Sequence, residues 1–326
     1  MCKPRTTRNP ALAKSPVVDE LTQASADEGK ARAFIERWRW GAEPCCPHCG
    51  DVDVYRMTGE SAQQRGLLRC RGCKRQFTVR VGTVFEDSAL PLHKWCRAIW
   101  EASKAKNGVS ALELSRTLQI THKSALFVLN RLRWAMAEGP NRPAKLKGTI
   151  EADETYVGGK PRHRGTAENP VNKRGRGTRK QPVAAVLQRG GDVRTRVIPV
   201  VNAANVQALV IENVHPSARL MTDKESSYRG LDAAFKGGHH SVDHGAREYA
   251  RGDVTTNSVE GFFARVKRSL NGTYHAVSRE HLHRYMSQFE FAHNTRRMTD
   301  GDRAVALLRM ADGKRLTYNE VTREAA

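Results

Sequence analysis

Two cysteine pairs restrict this chain more tightly than anything else in it. They are Cys46-Pro-His-Cys49 and Cys70-Arg-Gly-Cys73, with 20 residues between them. A CxxC turn presents two thiolates at one point, and two such turns build the closed tetrahedron of structural zinc. The spacing therefore predicts a small metal-closed ribbon with Cys46, Cys49, Cys70 and Cys73 as ligands. Two neighbours are alternatives: Cys45 would give a looser CxxxC, and His48 lies inside the first turn. The chain has seven cysteines, and a metal site in a reducing cytoplasm suits that odd number better than a secreted disulfide framework. Arg69, Arg71, Lys74 and Arg75 flank the predicted metal. They suit phosphate contact, and equally a solvated basic surface. Phe77-Thr-Val-Arg-Val alternates as a strand does.

Charge narrows the partner. Lys and Arg number 55 against 34 Asp and Glu, a formal net charge of +21 spread along 326 residues. Such a field draws in polyanions, and nucleic acid is the expected partner. No apolar run approaches the roughly 18 residues of a bilayer span. The N-terminus carries no signal-like apolar stretch. A cytoplasmic, nucleoid-associated protein of two or three domains is expected.

Residues 1–28 are polar and read as a disordered tail. A helix is expected over Gly29–Trp40, with Phe34, Ile35 and Trp38 on its apolar side, leading a ribbon domain over 29–83. Residues 84–140 turn helical: Trp95, Ile99 and Ala102 fall at helical spacing, and Ser110 with Glu113 fits a capping box. A helix to Leu118, then Gln119-Ile-Thr121, then a helix from His122 gives helix-turn-helix spacing. An ordinary helical hairpin competes with that reading. In a helix-turn-helix, Thr121, His122, Lys123 and Ser124 lead into the major groove. Leu126, Leu129, Leu132 and Met136 are then core, as are Trp95, Trp100 and Trp134. Pro140 and Pro143 mark a linker.

From Lys147 the order reads strand (149–157), basic loop (160–181), strand (182–189), a Gly190-Gly191 turn, strand (192–201), helix (203–213), strand (218–223). A mixed stretch follows, then helices over 256–270 and 278–296. The fold class is multidomain α+β, with a mixed α/β sheet over 147–300 and a tail over 301–326.

Three acidic patches stand out in this basic chain: Glu151-Ala-Asp153-Glu154, Met221-Thr-Asp223, and Asn257-Ser-Val-Glu260. Carboxylates at strand ends and on a helix face are what a two-metal phosphoryl-transfer site requires. Their hard oxygens suit magnesium or manganese. On the first strand Glu151, Asp153 and Thr155 share one face, opposite Ile150, Ala152 and Glu154. On the last, helical segment Asn257, Glu260 and Lys267 share a face, with Phe262, Phe263, Val266 and Leu270 on the buried side. Each acid alone is more commonly a cap or a surface charge; the joint arrangement carries the reading.

With these residues in view, the chain resembles the ISXO-like bacterial insertion-sequence transposases. The likeness spans about residues 30 to 300. It rests on Arg39-Trp40 before the first cysteine pair, Gly82-Thr-Val-Phe-Glu-Asp-Ser-Ala-Leu-Pro-Leu-His-Lys-Trp95, Ile150 through Gly159, and Thr222-Asp223. It continues with Thr256 through Glu260, Lys267-Arg268, Gly272-Thr-Tyr-His275, His281-Leu-His-Arg-Tyr285 and Asn294-Thr-Arg296. The resemblance implies an RNase H-like catalytic domain with Asp153, Asp223 and Glu260 as the metal-binding triad. It implies Asn257 and Lys267 as accessory positions. Asp153 is preferred over Glu151 and Glu154 because it occupies the motif position; Glu154 is expected to orient a basic neighbour. Ala292 departs from the Arg that relatives often carry there.

The implied reaction is cleavage at each end of the element, then attack of the freed 3′-hydroxyl on target double-stranded DNA. Lys267 and Arg268 are placed to hold phosphate. The segment Lys160–Lys180, with Arg174 and Arg176, reads as a DNA-contacting arm or as a plain solvated loop. His281, His283 and Arg284 suit DNA contact or structure better than metal ligation. Two ends must be synapsed, so a homo-oligomer on DNA is expected. A non-catalytic DNA-binding regulator would leave 147–300 without a purpose. Another RNase H-like nuclease would leave the ribbon and helical region so, and a domesticated transposase would keep every motif.

Overall fold

The computed structural model describes residues 15–137, 144–158, 180–246, 248, 250–317 and 319–320. The expected linker prolines Pro140 and Pro143, and the basic segment with Glu168, Arg174 and Arg176, lie outside the described residues. Two compact units divide the chain: Met1–Ala137 with Thr295–Ala326, and Glu138–Asn294.

The first unit opens with a helix where a tail was expected. Helix α1 (Pro16–Ala24) has Pro16 in its first turn, where a missing N–H costs nothing. Val17, Leu21 and Ala24 form its buried stripe, an apolar period that the polar flanks obscure. Helix α2 (Glu28–Trp40) follows, capped by the Asp27 carboxylate, which accepts from the Lys30 N–H. The ribbon is an antiparallel sheet of β1 (Val54–Arg56), β2 (Leu68–Cys70) and β3 (Gln76–Phe77), with the short helix α3 (Glu60–Arg65) between the first two strands. The strand expected to run on from Phe77 stops there. Val81 N–H bonds the Thr78 carbonyl and Thr83 N–H bonds that of Arg80, so the chain turns instead of extending.

Helices α4 (Leu92–Lys104), α5 (Ala111–Leu118) and α6 (His122–Met136) complete the ascending part of this unit. Trp95, Ile99 and Ala102 are buried on α4, as their spacing requires. Ser110 Oγ accepts from the Glu113 N–H and starts α5; Thr121 Oγ1 does the same for α6 through Ser124. Leu129, Leu132 and Met136 are core, but Leu126 is 38% exposed. The buried stripe of α6 runs through Ala125, Val128, Leu129, Leu132 and Met136, which leaves Leu126 off its edge.

The second unit holds a five-stranded mixed sheet. Its strands are β4 (Thr149–Val157), β5 (Gln181–Gln188), β6 (Val193–Val197), β7 (Arg219–Asp223) and β8 (His239–Val242), in the order β6-β5-β4-β7-β8. β4 pairs antiparallel with β5, and β5 with β6, while β7 and β8 run parallel to β4 and to each other. The β5–β6 hairpin turns at Gly190, whose φ of +72° suits glycine. Helix α7 (Ala203–Asn213) lies on one side of the sheet with Ile150, Ala152, Ala184, Val186 and Leu220. Helices α8 (Asn257–Ser269) and α9 (Leu282–Asn294) lie on the other, with Val157, Val183, Ala185 and Leu187. This is the alternation predicted for β4: Glu151 and Asp153 share the α8 side.

Residues after Asn294 belong to the first unit, and a tail beyond 300 gives way to helix α10 (Asp300–Met310). Thr299 Oγ1 caps it, and Ala304, Val305, Leu307 and Leu308 bury its apolar face. Among the described residues, no helix is long and apolar enough to cross a membrane.

Candidate metal centre and active site

In the ribbon the two CxxC turns come together. The sulfurs of Cys46, Cys49, Cys70 and Cys73 all lie within 4.8 Å of one another. Cys46 Sγ is 3.6 Å from Cys73 Sγ, and Cys49 Sγ is 3.6 Å from Cys70 Sγ. A tetrahedron of Zn–S bonds of ~2.3 Å has edges of about 3.8 Å, so the four thiols fit a zinc ion. The turns explain the convergence. Gly50 has a φ of +80°, and its N–H bonds the Cys46 carbonyl at 2.8 Å. At Gly72 a Cβ would meet Asp51 Oδ2 at 2.3 Å. An Arg75 backbone N–H lowers the Cys73 thiol to about 7, while burial and the neighbouring thiols outweigh an Asp51 backbone N–H and raise Cys49 to about 12. His48 instead packs edge-on to Phe77, ring centroids 6.4 Å apart. Cys45 is no member of the converged set.

The basic residues of the ribbon are mostly surface groups. Arg71 pairs with Asp53 at 3.4 Å and lies over the Tyr55 ring, and Arg69 donates to the Lys74 carbonyl. Lys74 and Arg75 are exposed. At the start of α6, Thr121, His122, Lys123 and Ser124 are all exposed.

In the second unit, each acid of the expected triad comes from a different element. Asp153 lies in the middle of β4. Asp223 ends β7, whose parallel register pairs Glu151 with Met221. Asp153 and Asp223 each lie two residues beyond that last pair. Glu260 sits on the first turn of α8. Burial pushes the Asp153 carboxyl up to about 8, the adjacent Glu154 adds to this, and the charges of Asp223 and Glu260 push the same way. A partly buried acid facing two further carboxylates is a natural cation site. The three carboxylates nonetheless stand further apart than the four sulfurs, which are the one converged ligand set among the described residues.

Each acid is held. Asp153 Oδ1 accepts from the Glu154 N–H at 2.8 Å, and Asp223 Oδ1 from the Glu225 N–H at 3.3 Å. Glu260 Oε1 accepts from Thr256 Oγ1 at 2.7 Å. Asn257, Glu260, Lys267 and Arg268 are exposed on α8. Tyr228 Oη donates to Glu154 Oε2 at 2.8 Å. Arg284 is buried on α9, which makes it structural rather than DNA-facing.

The sequence pattern gives no sign of Tyr228 or Arg189, names Thr256 only as the start of a motif, and leaves Glu151 without a role. Glu151 is fully buried, and its oxygens accept from Ser258, Val259 and Arg189. An acid inside an apolar strand is the one signal that could have marked it.

Residues 145–294 match the ISXO2-like transposase domain, and residues 26–76 match the transposase zinc-ribbon domain. These two stretches contain the triad and the four cysteines respectively. A relative from Halobacterium salinarum, described as an uncharacterized protein in transposable element ISH50, is 30% identical over 272 residues. The match covers 81% of this chain and 90% of that protein.

Proposed function

The chain belongs to the ISXO2-like transposase family, and from that premise we propose that it is a DDE transposase. It cuts DNA at the ends of its element and joins the freed 3′ ends to target DNA. The observation that carries this reading is the placing of three acids on three elements of one unit, with Asp153 within reach of the charges of Asp223 and Glu260. The sheet order, with three antiparallel strands and two parallel ones beyond the central β4, supports an RNase H-like reading of the second unit.

In the first step water attacks the phosphorus at the end of the element. The P–O3′ bond breaks, and the departing oxygen takes up a proton as a 3′-hydroxyl. In the second step that oxygen attacks a target phosphorus in line and displaces the target's own 3′ oxygen. The first step breaks a phosphodiester to leave a 5′-phosphate, its water proton passing to the 3′ oxygen; in the second, one phosphodiester forms as one breaks, and no protein nucleophile is needed. Asp153, Asp223 and Glu260 are the groups that hold magnesium or manganese, which supplies positive charge to the reacting oxygens. Asn257 completes the exposed face beside Glu260. Lys267 and Arg268, further along α8, hold phosphate and fix the strand for in-line displacement.

The zinc ribbon and α5–α6, read as a helix-turn-helix, supply recognition of the ends. Thr121, His122 and Lys123 meet the groove, with Arg174 and Arg176 as further DNA contacts. The protein works as a homo-oligomer at the nucleoid, because both ends must be held together.

The test is end cleavage in vitro, using duplexes carrying the element's own termini. Nicks that leave 3′-hydroxyls, require magnesium or manganese, and vanish in Asp223→Asn while duplex binding persists are expected. Binding that survives chelation, with no cleavage in either metal, would make the chain a non-catalytic DNA-binding protein.

A further inference from the structure

Glu151 lies on the strand face that carries Asp153, is fully buried, and has no part in the reaction as set out above. Both of its oxygens are engaged. Oε2 accepts from the backbone N–H groups of Ser258 at 2.7 Å and Val259 at 3.0 Å. Oε1 accepts from Ser258 Oγ at 3.0 Å and from Arg189 Nε at 2.9 Å.

Ser258 and Val259 are in the first turn of α8, where N–H groups have no partner within the helix. A side chain just before a helix usually serves them. Here Thr256 holds that position, but its hydroxyl is turned to Glu260 and caps nothing. The cap arrives instead from β4, more than a hundred residues earlier, and its negative charge suits the positive end of the helix dipole. Arg189 extends the link. Its other nitrogens donate to the carbonyls of Asp253 at 3.0 Å and Thr255 at 3.3 Å, in the segment that enters α8. Asp253 is paired in turn with Arg219 of β7, the strand that ends in Asp223.

We propose that Glu151 is a positioning residue of the active site: by capping α8 from β4 and gripping Arg189, it fixes Glu260 relative to Asp153 and Asp223. The proposal rests on the reading of those three acids as metal ligands. Asp153 is two residues from Glu151 on the same strand face, about 7 Å along the chain. Glu260 is one residue beyond the capped Val259. The first and third acids of the triad are thus tied through one carboxylate. Its loss lets α8 shift at the turn that carries Glu260, and the metal loses a well-placed ligand.

The test measures Mn2+ binding directly, by the electron paramagnetic resonance of the free ion, on full-length protein with its zinc content checked. Wild type, Asp153→Asn, Glu151→Gln and Arg189→Lys are compared. Glutamine keeps the shape of Glu151 but loses the charge and one acceptor. Lysine keeps the charge of Arg189 but cannot bridge Glu151 to the two carbonyls, and it covers the case in which Glu151→Gln does not fold. The expected result is loss of binding in Asp153→Asn and binding weakened about tenfold in Glu151→Gln, the scale seen when a ligand's supporting partner is removed. Arg189→Lys should weaken it in the same direction, and cleavage by both variants should recover as Mn2+ is raised. A role in folding alone would lower the melting temperature and leave Mn2+ affinity unchanged. Wild-type affinity in both Glu151→Gln and Arg189→Lys overturns the positioning role and leaves the triad standing. Wild-type affinity in Asp153→Asn overturns the triad, and the positioning role with it.

Discussion

The Tyr228 hydroxyl donates to Glu154 Oε2 across 2.8 Å, next to the acid on which the site turns. Tyr228 is buried, and burial together with the charges of Glu154 and Asp153 pushes its phenol well above the ordinary value. It therefore stays protonated and remains a donor. Tyr228→Phe keeps the ring and deletes the hydroxyl, leaving a partly buried carboxylate short of a partner. The expected cost is about 1–3 kcal/mol of stability, read as a lower urea midpoint, with cleavage reduced but present. An unchanged midpoint would show that the bond adds nothing.

Asp153 gives the metal-free protein a pH signature. Its carboxyl is raised from 3.8 to about 8. Between those values the folded state holds a proton that the unfolded state has released. The folded state is thus favoured most at low pH, and this group's contribution is lost as pH rises towards 8. With metal chelated, the melting temperature of wild type should fall across that window more steeply than that of Asp153→Asn. Parallel curves would mean that Asp153 titrates normally.

Zinc would be the ribbon's main source of folding energy. Four thiols converge on one point, and the sheet around them has only three short strands. Cys46→Ser and Cys70→Ser should each lose the zinc and, with it, end-specific DNA binding, because binding a structural zinc is folding energy. Metal analysis of purified protein reads the first, and a gel shift the second. Wild-type protein free of zinc would contradict the assignment.

The start of α6 offers a separate test. Lys123 is exposed beside Thr121, whose hydroxyl caps the helix. If this turn meets DNA, Lys123→Ala should weaken binding and lower the salt slope by about one. Thr121→Ala should cost about 1 kcal/mol of stability through the lost cap. A salt slope unchanged by Lys123→Ala would leave α5–α6 an ordinary helical hairpin.

Much of this was legible in the chain because local chemistry and fold agree. Cysteine spacing marked the ribbon, alternation marked β4 and its two faces, and Ser110 and Thr121 mark where α5 and α6 begin. Other features depend on distant partners. The strand β8 is His239-His-Ser-Val, four residues at a sheet edge with little apolar pattern to betray it. The helix α1 hides its three-residue stripe among polar neighbours. Glu151 reads as one of three nearby acids, and only the approach of α8 shows that it serves Ser258 and Val259 rather than a metal. The same holds for Tyr228, 74 residues from its acceptor.

In the proposed function Asp153 belongs to a DNA-cutting and DNA-joining site. Its most direct test is movement of the element between plasmids, with the gene and its native flanking DNA, comparing wild type with Asp153→Asn. Movement is expected in wild type and none in Asp153→Asn, with both proteins binding the element's ends equally. Equal movement in both would contradict it.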